Sequence, residues 1–253
     1  SSSDPRAASK LLQANLGSIP SDRRSEVLLR LGNALTLSGE YQHAISSCLR
    51  AKSDFEAQGK THLAGRCAQT LGFCYTNIGP LSNAEKSFRQ AESHLDPEAR
   101  WKPRLGLAVL AWRRGHFAEA LSILAQTSSE YSAENLQLHL RGIRGNIHAS
   151  LGQWRQAFDQ EKAALRLARA SGTDDQIAEH LIGLAQASIY IDHPETELTV
   201  AYAAGYLFSS KDSARKALFE TVQSSNALAN GETEAAEEFA KRAYEAAIRD
   251  RYR

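Results

Sequence analysis

The sequence has no methionine, only three cysteines and only six prolines in 253 residues. Cys48, Cys67 and Cys74 cannot all pair with one another, and their spacing matches no zinc-ligand pattern, so neither a disulfide framework nor a zinc module organises the chain. Unpaired thiols of this kind suit a reducing compartment, and a cytoplasmic location is the expectation. No apolar run approaches the ~18 residues that cross a bilayer, and no signal-peptide core is visible, so no membrane partner is expected. Charge of one sign is missing too: 30 Lys plus Arg stand against 29 Asp plus Glu, and that balance argues against a nucleic-acid reader. Runs of Val, Ile and Thr with strand periodicity are absent. Lacking a start residue, the chain reads as a fragment cut from a longer protein.

What is present is a beat of helix breakers in an Ala- and Leu-rich background. Gly39, Gly79, Gly115, Gly152, Asp192 and Gly231 recur every 36 to 40 residues, with further breaks at Gly59, Asp96-Pro97, Ser128-Ser129, Ser171-Gly172 and Ser209-Ser210. Each gap leaves room for a helix of a few turns. Start signals agree: Ser82 with Glu85 has capping-box spacing, Asp96 precedes a first-turn proline, and Thr173-Asp174 follows Gly172. The pattern predicts about twelve helices in six antiparallel pairs after a short helix near Pro5 to Leu16. The final run, Glu234 to Arg253, has no stop and predicts one continuous helix.

Aligned on the mid-turn residue, the pairs repeat. Five residues on stand Ala44, Ala84, Ala120, Ala157, Glu197 and Ala236, and twelve on stand Ala51, Ala91, Thr127, Ala164, Ala204 and Ala243. Antiparallel helices approach closely only where the residues at their crossing are small. Gly32, Gly72 and Gly145 are expected to face Ala44, Ala84 and Ala157, with Leu31, Leu71, Tyr75 and Phe88 filling the space between. A single pair cannot bury its apolar face, so the pairs must stack.

The series Leu71-Gly72, Tyr75, Gly79, Ala84, Phe88, Ala91, with its echo from Leu31-Gly32 to Ala51, closely resembles the tetratricopeptide repeat (TPR) family. The resemblance covers about Ser25 to Arg253. The long spacing is similar to that in kinesin light chains, bacterial peptide-pheromone receptors and the effector domain of the maltose-regulon activator. It implies an all-α, right-handed α–α superhelix, a TPR-like solenoid of about six helix pairs. Residues 1–24 then form an N-terminal helix and linker, and the units lie near 25–60, 61–97, 98–130, 131–172, 173–211 and 212–253. The family binds peptides or proteins rather than performing catalysis, which implies the regulatory or sensory fragment of a larger bacterial signalling or transcription-regulatory protein. The alternative is a self-associating structural adaptor, for instance a homodimer.

In such a solenoid the first helix of each pair lines the concave surface. Carried over by position, this puts Leu29, Asn33, Thr36, Gln69, Phe73, Thr76, Leu105, Val109, Trp112, Gly142, Asn146, Ala149, Ile182, Gln186 and Ile189 on the groove. Asn33 and Asn146 are notable because an amide both donates to and accepts from an extended backbone. Arg141, Arg144 and His148 depart from the family pattern, standing where it has large apolar residues. They form a basic stripe beside the apolar Leu140, Ile143 and Ile147, so a rotated helix is expected to turn the stripe toward solvent or the groove. Arg100, Lys102, Arg104, Arg113 and Arg114 add charge upstream, and the expected ligand is an acidic protein or peptide. The cysteines read as small buried hydrophobes. No catalytic set, metal-ligand set or phosphate loop is found, so no enzyme activity and no cofactor are expected.

Overall fold

The computed structural model describes residues 5–133, 135–208 and 213–251. Among these the secondary structure is helical throughout, apart from turns and short connections. The helices are α1 (Pro5–Asn15), α2 (Ser21–Leu37), α3 (Tyr41–Ala57), α4 (Thr61–Ile78), α5 (Leu81–His94), α6 (Trp101–Arg113) and α7 (Phe117–Glu130). They continue as α8 (Leu136–Ser150), α9 (Trp154–Ser171), α10 (Asp174–Tyr190), α11 (Thr196–Phe208), α12 (Ser213–Ala229) and α13 (Thr233–Arg251). The chain divides into two compact units, Ser1–Ser132 and Ala133–Arg253.

The hairpin turns show why glycine marks the beat. Gly39, Gly79, Gly115, Gly152 and Gly231 all have positive φ between 70° and 81°, a region costly for residues with a Cβ. Asp192 fills the same place in the fifth pair at φ 50°. The start signals fared less evenly. Thr173 caps α10 through a reciprocal box with Gln176. Ser82 and Glu85 lie inside α5, and Glu85 binds Arg89 and Arg114 instead. Asp96 precedes a short 3₁₀ turn and gives its carboxylate to His62 at 3.0 Å.

Within each unit the first helices of successive pairs touch: α2 meets α4 and α4 meets α6 in the first, and α8 meets α10 and α10 meets α12 in the second. Among the described residues, no two second helices of neighbouring pairs make contact of similar extent. The layer of first helices is therefore the tighter, inner side of each unit. The core of the first unit gathers Leu28, Leu31, Leu35, Phe55 and Leu71. That of the second gathers Phe158, Leu165, Leu181, Leu184 and Val222.

The close crossings are made differently from the expected glycine-on-alanine contact. A Cβ added to Gly72 would lie 2.6 Å from the Phe88 ring, and one on Gly106 would lie 2.4 Å from it. Phe88 of α5 is thus gripped between α4 and α6. Gly32 likewise makes room for Cys48, whose Sγ would sit 2.3 Å from such a Cβ. Ala84 is fully buried, but Phe88 rather than Ala84 fills the space over Gly72. The sequence spacing pointed at the nearest small residue, whereas the packing selects the side chain one helical turn further on.

Gly106→Ala is expected to destabilise the chain by roughly 1–3 kcal/mol in urea unfolding, since Phe88 must leave its rotamer. Adding Phe88→Leu should return part of that loss. An unchanged midpoint for Gly106→Ala would refute the grip.

Candidate ligand-binding faces

The first helices carry a strip of exposed and half-buried residues that shares Asn33, Phe73 and Val109 with the expected groove but departs from it elsewhere. In the first unit its exposed members are Glu26, Arg30 and Leu37 on α2, Arg66, Phe73 and Asn77 on α4, and Lys102 and Arg113 on α6, with Asn33, Thr70 and Val109 half-buried among them. Phe73 is 52% exposed, unusual for a phenylalanine on a well-packed helix. Thr70 Oγ1 donates to Asn33 Oδ1 at 2.7 Å, which ties α2 to α4 at the surface and leaves the Asn33 amide N–H groups free to donate. Arg30 and Arg66 make no ion pair among the described residues, and Lys102 has only the Trp101 ring at 5.4 Å. Arg113 donates to the Thr76 carbonyl. Glu26 is the one carboxylate on this strip.

The expected groove residues separate accordingly. Asn33, Phe73 and Val109 share a register on three touching helices, and the structure brings them together on the inner face. Asn146 and Gln186 hold the same register on α8 and α10 in the second unit. Gln69, Thr36, Trp112, Ala149 and Ile189 are half-buried beside the strips. Leu29, Thr76, Leu105 and Ile182 are core residues, because neighbouring helices close over that side of each first helix. Gly142 does not line the groove either: its missing Cβ makes room for the His180 ring. Sequence reasoning missed Arg30, Arg66 and Asn77, which only the exposure pattern identifies.

The basic stripe on α8 is half-buried; Leu140 and Ile147 are fully buried as the rotated register requires, but Ile143 is only half-buried, like the stripe beside it. Arg141 and Arg144 lie about half a turn around α8 from the exposed Asn146. Neither makes a hydrogen bond or ion pair among the described residues, and burial together with the Arg141 charge lowers the Arg144 pKa. His148 shares a hydrogen bond of 2.7 Å with Gln153, across the turn. The supposed basic middle is largely consumed in structure: Arg104 binds Glu92 and Glu130, and Arg114 binds Glu85. Those acids lie in other helices, so no local count of charge reveals them.

One further polar element sits inside the second unit. Glu161 and His180, exposed by 4% and 5%, share a hydrogen bond of 2.8 Å between Oε2 and Nδ1. Glu161 occupies the place that Phe88 fills in α5, gripped between Gly145 of α8 and Gly183 of α10. Burial pushes its carboxyl above the ordinary 4.5, against the pull of His180, and Glu179 raises it further. The three cysteines are buried, and desolvation pushes Cys67 up to about 12, which makes it an inert packing residue. No group of three or more His, Cys, Asp or Glu side chains among the described residues could hold a metal ion, and no helix there is long and apolar enough to cross a membrane.

No protein-family model and no curated relative matches this sequence. Solved structures do match in fold. The Rap conjugation gene regulator of the plasmid pLS20, in complex with the Phr* peptide, aligns with a TM-score of 0.77 at 19% identity, covering 98% of this chain and 69% of that one. NprR in complex with its cognate peptide NprX aligns at 0.72 and 15% identity, over 94% and 71% of the two chains. A tetratricopeptide repeat protein from Parabacteroides merdae aligns at 0.62 and 16% identity, over 96% and 87%. Identities this low establish shared architecture.

Glu161→Gln tests the buried pair. The folded chain holds this proton more tightly than the unfolded one, so the stability it contributes is fully present below pH 4.5 and is lost as pH rises through the raised folded value. Glutamine cannot titrate. Its stability relative to the natural chain is therefore expected to increase from pH 5 to pH 8 in urea unfolding. Glu161→Ala, which strands His180 beside a cavity, should cost about 2–4 kcal/mol.

Proposed function

We propose that this chain, built on the tetratricopeptide-repeat fold, is a peptide-binding scaffold whose ligand lies along the inner face of the first unit. The observation that carries this reading is Phe73, an exposed aromatic ring at the centre of a face bearing Arg30, Arg66 and Lys102 against the single carboxylate of Glu26. An aromatic on a rigid helix offers apolar contact at little entropic cost, and unpaired cations beside it favour acidic side chains. The free N–H groups of Asn33 suit a backbone carbonyl of an extended peptide. The ligand class is thus an acidic peptide with one apolar anchor.

Architecture supports the same reading, since the Rap and NprR structures that share the fold hold peptides. We place the chain as the regulatory or sensory portion of a larger bacterial signalling protein. Arg141 and Arg144 form a separate unpaired pair that can accept an anion on its own.

Selection of a random peptide library on the whole chain is expected to enrich sequences combining Asp or Glu with Phe, Leu or Ile. Phe73→Ala and Arg66→Glu should each weaken an enriched peptide about tenfold or more, as for anchor residues, and added salt should weaken it further. Reversing both Arg141 and Arg144 to Glu should affect the peptide less than Arg66→Glu does. Failure to enrich any peptide, together with a mass that rises with concentration, would support a self-associating adaptor instead.

A further inference from the structure

The outer side of the second unit carries a second candidate site, independent of the inner face. Because α9 and α11 do not close against each other, a cleft of about 220 Å³ opens between them over α10. Its apolar floor is Leu165, Leu181 and Leu184, and its wall is Tyr202, a ring that is 52% exposed. Lys162, Arg166 and Arg169 stand along its edge, and no carboxylate lines it. The three cations follow one another at four- and three-residue intervals, so they share one face of α9. None of them has an ion pair or hydrogen bond among the described residues, although Lys162 lies 5.4 Å over the Phe158 ring.

Three like charges held in a row repel one another, and no carboxylate among the described residues pairs with them. We infer that this cleft binds an aryl phosphate: a phosphorylated aromatic side chain, or a free molecule of the same chemistry. The volume is below that of a typical whole-ligand pocket, roughly 300–1,000 Å³, and suits one ring-sized group. The floor and Tyr202 take the ring face, which favours offset stacking. The anion is a phosphate rather than a carboxylate because three cations match its near-double charge and three acceptor oxygens. A carboxylate would leave at least one of them unmatched.

The test is calorimetric titration of the whole chain with phenyl phosphate, with inorganic phosphate and phenol as controls. Saturable binding of phenyl phosphate, tighter than that of either control, is expected. Arg166→Glu should weaken it about tenfold or more, as charge reversal at a contact does, with the melting temperature unchanged because Arg166 is exposed. Tyr202→Ala should weaken phenyl phosphate while leaving inorganic phosphate as it was, and Phe73→Ala on the inner face should change neither. An alanine-flanked phosphotyrosine peptide that binds tighter than phenyl phosphate assigns the site to a partner protein. Equal binding assigns it to a free aryl phosphate. Absence of saturable binding, binding no tighter than inorganic phosphate, or indifference to Arg166→Glu would each overturn the proposal.

Discussion

Two first helices that lie side by side leave a gap wherever both carry glycine, and the second helix between them drives one side chain into that gap. Phe88 between Gly72 and Gly106, and Glu161 between Gly145 and Gly183, are two cases of this one geometry. The contact is short because the glycines lack a Cβ, so the helices approach to distances that alanine would forbid. With the first helices drawn together, their remaining side chains divide sharply into a buried side and an exposed strip. The inner face with Phe73 follows from that division, as does the outer cleft, which opens where the second helices stand apart.

The same geometry gives Glu161 its unusual position. An aromatic ring in this socket needs no partner, whereas a carboxyl must either keep its proton or find a hydrogen bond, and Glu161 has His180 at 2.8 Å. A buried polar pair of this kind is weak evidence for stability. It joins α9 to α10 across the gap that Gly145 and Gly183 leave open. The second unit thus places a titratable group in the socket that Phe88 fills in the first.

Charge in this protein is spent locally or left free according to layer. Arg104 and Arg114 lie where α6 meets acids from α5 and α7, and they become part of the framework. Arg30, Arg66 and Lys102 project from the inner face, and Arg166 and Arg169 from the outer side, without an ion pair among the described residues. Both candidate faces therefore present cations without ion pairs among the described residues, even though the chain as a whole carries a net charge of only +1. Balanced totals conceal such separation.

The sequence by itself determined the helices, the pairing and the repeat, because each rests on short-range causes: positive φ at Gly39 or Gly152, small residues at fixed offsets, and apolar spacing along one helix. It also placed Asn33 and Phe73 at one register of the first helices, where Phe73 is exposed and Asn33 half-buried. It put Leu29 and Ile182 on the groove wrongly, since burial there depends on how far the neighbouring helix rotates over them. The partners of Arg104, the socket of Glu161 and the cleft beside Tyr202 were decided only by tertiary structure. Each joins residues from different helices, 12 to 40 positions apart in the chain. Their contact depends on the angle and distance at which the helices pack, which no local periodicity encodes.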